Sequence, residues 1–148
     1  MAQAPIKQLI ENSRVLREKL LADRHRPAYH FTVPEGYCRP FDPNGCIFWK
    51  GQYHLFYIFQ DDRGHNWGHV SSLDLVHWRH HPTGLVTGMF SGNCFVNKDG
   101  VPTICHHQVD LGNSMVVSLD EELNSWEKLE SNPITPVTAE GDEHHGKY

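Results

Sequence analysis

The chain has 148 residues, 39% of them hydrophobic and 11% aromatic, which is enough for one globular core, and its 21% charged fraction argues against a disordered chain. A formal charge of −5 with a pI near 6.1, and no basic cluster beyond Arg24, His25 and Arg26, gives no electrostatic footprint for nucleic acid or an anionic membrane; small neutral ligands or proteins are the expected partners. Cys38, Cys46, Cys94 and Cys105 form no C-x-x-C pair, so scattered reduced thiols are expected rather than zinc or redox chemistry.

The first element is a helix over residues 1–25. Ile6, Leu9, Ile10, Leu16, Leu20 and Leu21 recur at helical spacing, Pro5 sits where a first-turn proline is tolerated, and Pro27 closes the pattern. The segment MAQAPIKQLIENSRVLREKLLADRHRP has no apolar run of seven residues and carries charges throughout. That is the pattern of neither a signal peptide nor a membrane span, and the expected location is the cytoplasm.

After Pro27 the period changes to two. Tyr53, Leu55, Tyr57 and Phe59 fall on one face of an extended segment, preceded by a short strand Cys46 to Trp49 and a Lys50-Gly51 turn. A repeat follows. The unit "WKGQYHLFYIF … WGHVSSLDLVHW" (49–78) returns as "NKDGVPTICHH … SMVVSLDEELNSW" (97–126), each reading strand, Gly turn, strand, loop, strand, Ser-Leu-Asp loop and closing Trp. A period near 50 with about four short strands per unit is the signature of propeller blades, because one twisted sheet cannot bury its faces without neighbours. Residues 26–148 are therefore expected to form an all-β, partial propeller of about two blades. Closing the ring needs roughly four or more such units, which 148 residues do not supply. The tail "EGDEHHGKY" has no apolar anchor, which also suggests a fragment. Two blades with an unpaired face and edge are expected to self-associate.

The tetrapeptide Asp42-Pro43-Asn44-Gly45 is open to two readings. It is good β-turn chemistry, with Pro fixing φ and Gly supplying a positive φ. It also sets a carboxylate at the entry to the innermost strand of the first blade, where propellers bind ligands, so Asp42 is a candidate nucleophile or base. Asp74 and Asp120 recur in both repeats, which points to a structural loop role.

The blocks around Asp42 resemble glycoside hydrolase family 32, the invertase, inulinase and levanase group of β-fructofuranosidases. They are "RPAYHF" (26–31), "FDPNG" (41–45), "KGQYHLFY" (50–57), "WGHVSSLDLVHW" (67–78) and "FSGN" (90–93), in the family's order. The resemblance runs from about Arg26 to Pro133 and implies a five-bladed propeller. It implies Asp42 as catalytic nucleophile, with Asn44, Gln60, Trp67, Phe90 and Ser91 as substrate-binding residues. Trp67 would wall the furanose and Ser91 hydrogen-bond it, although Trp in a strand is also core and Ser-Gly is also a turn.

Retaining glycosidases need a second carboxyl group to protonate the leaving oxygen. In the family this is a glutamate in a Glu-Cys dipeptide, and a further aspartate in an Arg-Asp-Pro triplet steadies the ring. The chain contains neither. Two departures fall inside the matched blocks: Phe41 stands where the family has Asn, and Ile58 and Phe59 separate Gln60 from "HLFY". The implied activity is hydrolysis of terminal β-D-fructofuranosyl residues from sucrose or fructans, the two blades alone being inactive. A non-catalytic sugar-binding propeller, or a partner fragment that completes its propeller with another chain, is the alternative. An in-frame continuation with a Glu-Cys motif would separate them. Twelve histidines show no metal-ligand spacing and no phosphate loop is present, so neither metal nor cofactor is expected.

Overall fold

Lys50 and Gly51 both take positive φ, 49° and 81°, the backbone of a two-residue hairpin turn whose twist matches its strands. In the computed structural model, which describes residues 14–15, 18–19, 22, 24–25, 31, 39–61, 64–81, 85, 89–108 and 111–135, this turn joins β1 (Arg39–Trp49) to β2 (Gln52–Asp61). Then come β3 (Gly64–Ser72) and the short β4 (Arg79–His80). The second repeat gives β5 (Met89–Val96), β6 (Pro102–Gln108), β7 (Gly112–Ser118) and β8 (Trp126–Lys128). The strands form two antiparallel sheets in the orders β1-β2-β3-β4 and β5-β6-β7-β8, which are two consecutive propeller blades. The expected helix over 1–25 lies largely outside the described residues; within it, 14–15 and 18–19 are helical and Arg14 pairs with Glu18 one turn on. Cys38, His144, His145 and the tail also lie outside.

The Ser-Leu-Asp loops repeat in detail. Leu75 and Leu123 occupy the unusual positive φ, 64° and 59°. Asp74 accepts hydrogen bonds from the amides of Val76 and His77, and Asp120 from those of Asn124 and Ser125. The His77 amide is the first cause holding the Asp74 carboxyl below its ordinary range. For Asp120, burial works upward, but the loop amides prevail and lower it. Both aspartates are loop architecture, as their recurrence in the sequence implies.

β2 is buried on both faces. Tyr57 and Phe59 pack with Val70, Leu55, Trp78 and Phe31 on one side. Phe56 and Ile58 join Trp67, Leu85, Met89, Cys94, Ile104, Val116 and Leu123 on the other, forming the seam between the sheets. Each large side chain removed from water there contributes roughly 1.5–3 kcal/mol. Tyr53, which shares the alternating face of Leu55, Tyr57 and Phe59, is exposed at the hairpin end. Cys46, Cys94 and Cys105 are free, and burial pushes the Cys94 thiol up to about 12.

The seam also holds three buried histidines. His54 Nδ1 lies 2.9 Å from His69 Nε2, the His69 ring stacks on His81 at 4.2 Å and on Phe56 at 4.4 Å, and His81 reaches Ser71 Oγ at 2.7 Å and Asn124 Oδ1 at 3.2 Å. Burial is the first cause lowering all three pKa values. Neighbouring imidazoles reinforce it at His54 and His69, Arg79 does so at His81, and His69 falls to about 2.

Unfolded, these imidazoles take up protons near pH 6.5, whereas burial in the folded seam disfavours their charged forms. Stability is therefore whole above about pH 7 and declines as pH falls below 6.5, His69 alone costing about 1 kcal/mol by pH 5.5. The lowered aspartates matter only further down, where carboxylates protonate. Urea midpoints at pH 7.5 and 5.5 should differ accordingly, and equal midpoints would contradict neutral burial.

Candidate active site

Proline cannot donate to a strand ladder, and Pro40 and Pro43 bracket the place where β1 loses its register. Pro40 pairs with Phe59 and Pro43 with Tyr57, so Phe41 and Asp42 oppose the single residue Ile58. A second bulge follows: Asn44 pairs with Phe56 and Ile47 with His54, leaving Gly45 and Cys46 opposite Leu55, with Gly45 at a φ of 54°. The Asp-Pro-Asn-Gly stretch is thus not the tight turn its composition suggests. It is a doubly bulged part of one strand, 39–49, and bulges use the same positive-φ glycine that turns use. A bulge re-aims side chains, and Asp42 emerges exposed.

The second sheet repeats the device. Met89 pairs with Gln108 and Gly92 with His106, so Phe90 and Ser91 oppose His107 alone. Phe41-Asp42 and Phe90-Ser91 are therefore equivalent bulges, at the same ends of the innermost strands of adjacent sheets. Ser91 is exposed and Phe90 half-buried, its ring edge-on to His65 at 4.6 Å. Gln60 is half-buried at this end, opposite Arg39 in β1 and His65 in β3. The structure thus gathers Asp42, Ser91, Phe90 and Gln60 at one end of the two sheets.

It does not bring Asn44 or Trp67 to that surface. Trp67 is 0% exposed and donates its indole N–H to the Phe90 carbonyl at 3.1 Å, so among the described residues it packs as core. Asn44 is 7% exposed, with both ends of its amide engaged: Oδ1 accepts the Gly92 N–H at 3.0 Å, and Nδ2 donates to the Asp42 carbonyl at 3.0 Å. The sequence places these two residues among the substrate-binding set; in these two sheets both are buried, with their side-chain polar atoms engaged internally. Asn44 ties the Asp42 bulge to the Phe90-Ser91 bulge, and Trp67 ties β3 to the Phe90-Ser91 bulge.

Gly92 is the residue that sequence reasoning missed. A Cβ there would fall 2.3 Å from the Cys105 carbonyl oxygen and 2.8 Å from His106 Cα, so only glycine permits the close approach of β5 and β6. Aligning "FDPNG" with "FSGN" between the repeats was the available signal. Among the described residues no group of three His, Cys, Asp or Glu is arranged to hold a metal ion, and no helix is long and apolar enough to cross a membrane.

Comparison with known proteins agrees with this architecture. A profile of the Glycosyl hydrolases family 32 N-terminal domain matches residues 30–146. A fructan 6-exohydrolase of Beta vulgaris is 34% identical over 135 residues, covering 78% of this chain and 22% of that protein. A levanase of Bacillus subtilis is 30% identical over 138 residues, covering 80% and 20%. Among solved structures, fructan 1-exohydrolase IIa of Cichorium intybus superposes with a TM-score of 0.64 at 25% identity, covering 82% of this chain and 26% of that one. A family 32 β-fructofuranosidase of Bombyx mori gives 0.59 at 28% identity, covering 93% and 32%. The chain spans about a fifth of the length of the curated relatives it matches. With its paired bulged blades and the family domain matched over most of its length, the chain belongs to glycoside hydrolase family 32.

Proposed function

We propose that the full-length protein hydrolyses terminal β-D-fructofuranosyl bonds of sucrose or of fructans with retention, and that Asp42 is its nucleophile. One observation carries this reading: Asp42 is exposed on a bulge at the inner end of β1, the position at which the family resemblance implies the attacking carboxylate. The names of the relatives, a fructan exohydrolase and a levanase among them, support the substrate class.

In the step proposed, an Asp42 carboxylate oxygen forms a bond to the anomeric carbon of the fructosyl group while the glycosidic C–O bond breaks. A second carboxyl group about 5–5.5 Å away protonates the departing oxygen, then takes a proton from the water that hydrolyses the fructosyl ester. In this reading Ser91 and Gln60, at the same end of the sheets as Asp42, hydrogen-bond the ring hydroxyls, with Phe90 beside them. A second reading, sugar binding without cleavage, is favoured by Phe41 in place of the family's Asn and by the two-residue displacement of Gln60.

Replacing Asp42 with Asn separates the two. Asn tolerates the same backbone, so the melting temperature should hold. Turnover of sucrose or inulin should fall at least about 10³-fold, because an amide is a far poorer nucleophile. Near-normal turnover with an unchanged melt would return Asp42 to a structural role, and an inactive wild type that still binds fructosides would favour the binding reading. The 148-residue chain alone, which carries no Glu-Cys motif, should show no measurable turnover, since acid–base assistance typically supplies roughly 10²–10⁴-fold.

A further inference from the structure

The Asp42 bulge has a weakness as a platform for a carboxylate. A ladder fixes paired residues, whereas a bulge leaves its extra residue unpaired and its direction to local circumstances. Something else must fix it. Among the described residues, Asn44 is the side chain that bonds the backbone of both bulges, holding the Asp42 carbonyl with Nδ2 and the Gly92 N–H with Oδ1, each at 3.0 Å. Its partners leave the amide no freedom. A backbone N–H can only donate and a carbonyl can only accept, so the orientation of the amide is set by chemistry. A carboxylate lacks the donor, and a hydroxyl is too short to span both partners. The contact is also buried at this point, with Asn44 7% exposed and Trp67 0%.

We propose that Asn44 is a positioning residue for the reaction: its amide sets where the Asp42 carboxylate stands relative to the Phe90-Ser91 bulge of the neighbouring blade. The inference rests on the reading of Asp42 as nucleophile. Two flanking features tighten the clamp. The Trp67 indole N–H holds the Phe90 carbonyl at 3.1 Å, one residue before Ser91. Gly92, which follows Ser91, is locked against β6 so closely that a Cβ would meet the Cys105 carbonyl at 2.3 Å. The far end of the clamp is therefore anchored, and freedom lost or gained at Asn44 is felt at Asp42. A misplacement near 1 Å in a reacting group is enough to cost about 10²-fold in rate.

The test is Asn44→Ala in the full-length protein, with Asn44→Ser as the smaller perturbation should the first fail to fold. Three quantities are read: hydrogen exchange of the Gly92 amide, kcat and KM on sucrose or inulin, and the melting curve. The expected result, measured well below the melting temperature, is a Gly92 amide that exchanges at least about tenfold faster, with kcat reduced roughly 10–100-fold and KM within about threefold. A merely structural role would lower the melting temperature and leave kcat per folded molecule unchanged, and that result overturns the proposal. Unchanged Gly92 exchange overturns it too, since no clamp would then have been removed. If the wild type cleaves no β-fructoside, the functional reading fails on its own. The clamp is then judged by Gly92 exchange and by whether the Asp42 carboxylate moves between wild-type and variant crystal structures; an unmoved carboxylate refutes it.

Discussion

A four-stranded antiparallel sheet has two faces and cannot hide both by itself, so the seam between the sheets governs the rest of this chain. On one side stand Phe56, Ile58, Trp67 and His69; on the other Cys94, Ile104, Val116 and Leu123. Leu123 shows how far the seam reaches: it sits at positive φ in the second Ser-Leu-Asp loop and is still 1% exposed. The loop's aspartate, satisfied by amides of the turn, holds the backbone in a shape that branched apolar residues avoid. That shape delivers the leucine to the core.

The seam is not uniformly apolar. Its outer part carries the stacked imidazoles and their contacts with Ser71 and Asn124, and its inner part carries the Asn44 amide and the Trp67 indole. Buried polar groups cost free energy unless they are hydrogen-bonded. Asn44 meets that condition with both ends of its amide, whereas hydrophobic side chains fill the middle of the seam. Geometry at the candidate site follows directly. The two bulges that project Asp42 and Ser91 belong to different sheets, and what relates them is this inner polar contact.

How much of this is legible in the sequence depends on the range of the interaction. The strands, the Lys50-Gly51 hairpin and the paired Ser-Leu-Asp loops are local, and alternation, glycine position and internal repetition reveal them. The exposed Asp42 was legible from its motif and Ser91 from its block. The bulges were not, because proline and positive-φ glycine signal a turn equally well, and only the register with β2 decides. The burial of Trp67 and Asn44 was not legible for a related reason. Their partners, Phe90 and Gly92, lie 23 and 48 residues away and belong to the next sheet, so no local pattern shows that their polar atoms are already occupied. The histidines are a third case: His54, His69 and His81 come from three successive segments, and their stacking exists only once the strands are in register.

The His81 contact with Asn124 and the Asn44 contact with Gly92 lie toward opposite ends of the seam, and that placement has a consequence for assembly. Apolar faces attract one another in many relative positions, and a propeller, built of similar blades, is exposed to docking out of step. Two directional contacts far apart remove that ambiguity. A sheet displaced along its neighbour by one strand position would keep much of its apolar contact yet strand a buried amide or imidazole at both ends, at about 1–3 kcal/mol for each unsatisfied group. Hydrophobic area thus brings the blades together, and two hydrogen-bonding side chains act as alignment pins that decide which of the available dockings is native.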